Sequence, residues 1–97
     1  MTTQRTEKVF ITPSMAKTML EKLAHAKRKP DPGKVKKFAA KLRNREWIEG
    51  GPDIKFCENG TMVDGQHRLL AIISTGTTWP MNVTTGIPMS KAEEIIE

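Results

Sequence analysis

The stretch from Ile54 to Gly76 constrains this chain most, because three elements follow one another there with almost no spare residues. Ile54 to Cys57 and Thr61 to Val63 are short apolar runs flanking Glu58, Asn59 and Gly60. Asn followed by Gly between two such runs is a strong short-range hairpin signal. The second run gives way at Asp64 and Gly65 to Leu69, Leu70, Ile72 and Ile73, so a buried helix is expected directly behind the second strand. Gly76 is placed to stop it.

The flanking segments are shorter on signal but consistent. Val9 to Ile11 reads as a strand, closed by Thr12 as N-cap and Pro13 as first residue of a helix. That helix is expected to bury Met15, Met19, Leu20, Leu23 and Ala24 and to leave Lys17, Glu21 and Lys22 wet. Lys29, Pro30, Asp31, Pro32 and Gly33 interrupt it and start another, with Asp31 as N-cap and Pro32 at N1. In the second helix Val35, Phe38, Ala39 and Leu42 share one face, and Gly50, Gly51 and Pro52 end the helical half. After the hairpin and its helix, Met81 to Thr85 reads as a strand, and Ser90 with Glu93 makes a capping box opening a last helix over Lys91 to Glu97. The order predicts a compact α+β domain, a small mixed sheet with helices on it, occupying residues 1–97 as one unit. A chain of 97 residues has material for one modest core.

Charge is distributed unevenly. From Lys27 to Arg45 there are nine basic residues against Asp31 alone, while the rest of the chain carries seven basic and ten acidic ones. Lys34, Lys37, Lys41 and Arg45 recur at helical spacing on a face distinct from the apolar one, so the basic run forms a stripe. Such a stripe suits a polyanionic partner, DNA or another acidic molecule, and equally describes a solvated lysine-rich face. With 37% hydrophobic and 28% charged residues the composition is that of a folded domain, neither disordered nor membrane-embedded. No apolar run approaches the roughly 20 residues of a spanning helix, and Met1 to Lys8 is polar, so no membrane and no export are expected. A single cysteine, Cys57, offers neither an internal disulfide nor a multi-cysteine zinc site and fits a reducing cytoplasm. It reads as a small buried residue, Trp47 as an anchor of the second helix on the core, and Trp79 as packing beside Pro80.

The chemistry concentrates at Asp64, Gly65, Gln66, His67 and Arg68. A helix N-terminus presents backbone N–H groups and the positive end of the macrodipole, and glycine lets a ligand approach the backbone. Arg68 adds a planar, permanently charged fork suited to phosphate. His67 is placed to orient a phosphate or act as acid or base, or else to cap the turn by hydrogen bonding; His25 reads as plain surface. Asp64 is placed to brace the turn through its own backbone or to ligate Mg²⁺. No Walker loop, zinc motif or serine triad is present.

The run Val63-Asp64-Gly65-Gln66-His67-Arg68-Leu69-Leu70-Ala71, with Gly76, Pro80, Met81 and Val83 behind it, resembles the signature of the ParB/sulfiredoxin superfamily. Upstream, Arg45, Trp47, Ile54, Phe56, Asn59 and Gly60 resemble the short ParB-like proteins of phages and mobile elements. The resemblance spans about Thr12 to Ile87. It implies a ParB/sulfiredoxin-like fold and a turn, Gly65 to Arg68, that binds the phosphates of a nucleoside triphosphate, CTP as in ParB or ATP as in sulfiredoxin. Two departures limit what it implies. Gln66 stands where sulfiredoxin keeps its nucleophilic cysteine, which argues against sulfinic acid reduction. ParB carries a second nucleotide motif and a helix-turn-helix farther downstream, so a CTP-switched clamp here implies that a partner supplies the missing half.

The leading expectation is a phage- or plasmid-type protein that binds a nucleotide or nucleic-acid phosphate at Asp64 to Arg68, with Lys34, Lys37, Lys41 and Arg45 contacting DNA. An enzyme, a metal-assisted nuclease or NTPase using His67 and Asp64, is the alternative; the lack of clustered carboxylates weighs against it. A small interaction protein, such as a phage inhibitor of a host complex, is a third. Self-association and a host protein partner are both compatible with these readings.

Overall fold

The computed structural model describes residues 4–23, 29–45 and 54–91. Its elements run β1 (Arg5–Ile11), α1 (Pro13–Leu20), α2 (Pro32–Arg43), β2 (Ile54–Cys57), β3 (Met62–Asp64), α3 (Gln66–Thr75) and β4 (Trp79–Ile87). Together they make a compact α+β fold with one four-stranded mixed sheet in the order β1-β4-β2-β3. β4 runs antiparallel to β1 and parallel to β2, and β2 runs antiparallel to β3.

The local signals act where they were read. Thr12 caps α1, its hydroxyl accepting from Met15 N–H at 3.1 Å, and Asp31 caps α2, its carboxylate accepting from Gly33 N–H at 2.9 Å. Prolines at the start of both helices leave no lost donor. In the hairpin, Asn59 accepts from Thr61 N–H at 3.0 Å, and Gly60 takes the left-handed backbone, φ 89°, that closes the loop. Gly76, at φ 64°, ends α3.

One core joins Ile11, Ile54, Phe56, Met62, Met81 and Val83 of the sheet to Ala16, Ala39, Leu42, Leu69, Ala71 and Ile72 of the helices. Leu69 and Ile72 are fully buried, and each such side chain stabilises by roughly 1.5–3 kcal/mol relative to exposure. Their burial fixes α3, and therefore the turn that precedes it. α3 also packs against both α1 and α2. Val35 and Phe38 are half-buried beside Ala39 and Leu42, as the α2 spacing predicts.

Several elements differ in extent from the sequence expectation: β3 is Met62–Asp64 and not Thr61 to Val63, and α2 ends at Arg43, short of Arg45. β1 begins at Arg5 and β4 runs from Trp79 to Ile87, because the two strands pair along their whole length, Arg5 opposite Thr85 and Ile11 opposite Trp79. Pro80 lies within β4, but β2 joins β4 only from Val83 on, so the proline sits where the strand has one neighbour. α1 stops at Leu20 and does not carry Leu23 on a helical face. Lys22 C=O instead accepts Met62 N–H at 2.7 Å and Leu23 bridges to Met62, so a bond to the sheet edge replaces another helical turn. In α1 the fully buried residue is Ala16, and Met15 is exposed. Helical backbone after β4 begins at Met89, which puts Ser90 inside that turn and not at its cap. Lys91 N–H bonds Pro88 C=O at 2.9 Å. The expectations for Ala24, His25, Trp47, Gly50 to Pro52 and the remainder of the last helix lie outside the described residues.

Among the described residues no helix is long and apolar enough to cross a membrane. Cys57 is buried and unpaired, its thiol donating to Ile87 C=O at 3.1 Å. Trp79 packs half-buried against the core, and its indole Nε1 is buried without a hydrogen-bond partner in the described structure.

Candidate functional site

β3 ends at Asp64, and the chain turns into α3 through Gly65 at φ 117° and ψ 3°. That conformation is open to glycine and strained for any residue with a Cβ. No side chain caps this N-terminus, in contrast to Thr12 and Asp31 at the other two helices. The helical ladder starts with Leu69 N–H donating to Gly65 C=O at 3.0 Å. This helix end carries the positive pole of the macrodipole.

The turn does not stand alone. Asp64, Gly65, Gln66, His67 and Arg68 line a recess of about 290 Å³ whose remaining described wall is Lys34, Lys37, Phe38 and Lys41 of α2. The structure therefore brings together the two groups that the sequence suggested separately. Arg45 is the exception: it lies past the end of α2 with φ 56° and takes no part in the wall. Among the described residues, Lys34, Lys37, Lys41 and Arg68 share this small volume with one carboxylate, that of Asp64.

Arg68 is held from two sides. Its guanidinium lies 5.3 Å from the centroid of the Phe38 ring, within cation–π range. Its Nη1 is 3.9 Å from Asp64 Oδ1, and Lys55 Nζ is 3.7 Å from Asp64 Oδ2. Asp64 thus faces a cation on each oxygen and works as a brace for the turn. The donor set for Mg²⁺ is thin: among the described residues no three His, Cys, Asp or Glu side chains gather as a metal group.

His67 contacts the start of α2. Asp31 N–H donates to its Nε2 at 2.9 Å, so the neutral ring that accepts this bond carries its proton on Nδ1. His67 therefore hydrogen-bonds across to a second helix. The bond links the first turn of α3 to the N-cap residue of the helix that bears the lysines.

Sequence reasoning missed two residues here. Phe38 was assigned only to the apolar face of α2, although it also carries Arg68. Lys55 was not connected with Asp64, because an unbroken hairpin count places it opposite Val63. An irregularity between Lys55 and Phe56 shifts the register and sets it opposite Asp64. A larger, mainly apolar groove of about 680 Å³ lies beside α1, walled by Met15, Met19, Phe56 and Val83 among others, and shares no residue with the recess.

Comparison of the chain with protein-family models, with curated proteins and with solved structures finds no match in any of the three. The class is defined here by fold and site alone: an α+β domain whose strand-to-helix turn faces a lysine-bearing helix.

Proposed function

We propose that this chain is a ParB/sulfiredoxin-like phosphate-binding protein of phage or plasmid type, acting in the cytoplasm. Its ligand is a nucleotide, CTP or ATP, or the phosphate of a nucleic acid, held between Gly65 to Arg68 and the α2 lysines. The observation that carries this reading is the common recess shared by the α3 N-terminal turn, Arg68, Lys34, Lys37 and Lys41. Backbone N–H groups supply directional donors for phosphate oxygens, Arg68 a braced fork, and the lysines mobile charge. Gln66 is placed to hydrogen-bond a phosphate or a water, but offers no nucleophile for a covalent step.

Binding is favoured over catalysis because Asp64 is engaged by Lys55 and Arg68 and His67 Nε2 by Asp31. The test is an NMR titration with CTP, ATP and short DNA, with and without Mg²⁺. Shifts confined to residues 34–41 and 64–69 are expected. If none of these ligands perturbs those residues at millimolar concentration, the reading is wrong.

A further inference from the structure

The sequence suggested two contacts, a nucleotide or nucleic-acid phosphate at the turn and DNA along the basic helix. We infer that they are one site: a nucleoside triphosphate and a DNA strand occupy the recess in turn and never together, so that the triphosphate displaces DNA. The inference rests on the phosphate reading proposed above and adds how the two ligands are coupled.

Three of the four residues expected to contact DNA, Lys34, Lys37 and Lys41, form the wall opposite Gly65 to Arg68. Only Arg45 stands apart. Along α2 the lysines span about 10 Å at 1.5 Å per residue, the advance of about three nucleotides at ~3.4 Å per strand residue. A strand neutralised by them therefore passes over the mouth of the turn. A recess of about 290 Å³ has room for a short run of phosphates, but not for a triphosphate and a strand side by side. Two polyanions there would also lie well inside the Debye length of ~8 Å at physiological salt, where their repulsion is little screened.

The two walls are joined by contacts on both sides of the recess. Asp31 N–H bonds His67 Nε2 at 2.9 Å at one end, Arg68 lies over Phe38 at 5.3 Å, and Ala39 and Leu42 are buried in the same core as Leu69. These contacts tie α2 to the turn, so the lysines and the turn line one cleft.

The experiment is displacement of a short labelled DNA strand from the full chain by CTP, ATP and inorganic triphosphate, at constant ionic strength, read by fluorescence anisotropy. The apparent Kd for DNA should rise linearly with triphosphate and without a plateau, and the inhibition constant should equal the Kd from direct titration. Lys37→Ala with Lys41→Ala should weaken both ligands by the same factor, about three- to tenfold, while Arg45→Ala leaves the triphosphate Kd unchanged. A plateau in the displacement, marking a ternary complex, overturns the inference and leaves the phosphate reading intact. So does binding of only one of the two ligands. Binding of neither refutes the phosphate reading, and the inference falls with it.

Discussion

Arg68→Ala separates a ligand-binding arginine from one that only braces the turn. In the folded protein the side chain lies over Phe38 at 5.3 Å and pairs with Asp64 at 3.9 Å, where the carboxylate side chain is 41% exposed. At that exposure the i,i+4 ion pair contributes no more than about 0.5 kcal/mol. The partly buried cation–π contact adds about 0.5–1 kcal/mol, so the alanine variant should lose about 1 kcal/mol of stability, a fall in Tm of about 4–8 °C for a domain of this size. Ligand binding should suffer more. A charge-assisted hydrogen bond contributes about 1.5–3 kcal/mol, which corresponds to an affinity loss of about ten- to 150-fold. Arg68→Lys keeps the charge but loses the fork and the stacking, so its affinity should fall between wild type and alanine. Titration calorimetry with CTP or ATP at low salt, beside urea denaturation of the same variants, measures both quantities. An alanine variant with the expected stability loss and an unchanged Kd would refute the assignment of Arg68 to the ligand.

Gly65→Ala should destabilise the protein by about 1–2 kcal/mol, the cost of a Cβ at left-handed φ; an unchanged denaturation midpoint would contradict the turn geometry. Asp31→Ala should cost about 1 kcal/mol through loss of the α2 cap, and Asp31→Asn much less; equal thermal shifts in the two variants would mean that the cap bond to Gly33 is not what matters. Steady-state phosphate release from CTP or ATP should stay near background with or without Mg²⁺, and Gln66→Cys should not create a sulfinic acid reductase. A robust Mg²⁺-dependent NTPase or DNase abolished by His67→Ala or Asp64→Ala would put the enzyme reading first.

Much of the site was legible because its determinants are local. The N-caps Thr12 and Asp31, the left-handed glycines Gly60, Gly65 and Gly76, and the apolar face of α3 each act within a few residues of chain. Such contacts depend on backbone conformation more than on the rest of the fold, so the hairpin and the strand-to-helix turn could be read directly. β1 was read short because Arg5 to Lys8 carry no apolar pattern; they are strand because β4 pairs with them. α1 was read long because Leu23 continues a helical spacing, which cannot reveal that Lys22 C=O meets Met62 N–H across 40 residues of chain.

The sequence by itself determined where the chain turns, which helix faces are apolar and which residue types cluster at Asp64 to Arg68. Only the tertiary structure decided that β2 joins β4 in parallel, that a register shift sets Lys55 against Asp64, and that Asp31 N–H meets His67 Nε2. It also decided that Lys34, Lys37 and Lys41 face the turn while Arg45 does not. The reason is physical: a helical period states which residues share a face, but not what that face meets. Here the meeting is fixed by burial of Ala39, Leu42 and Leu69 in one core, which draws the basic wall of α2 up to the N-terminus of α3.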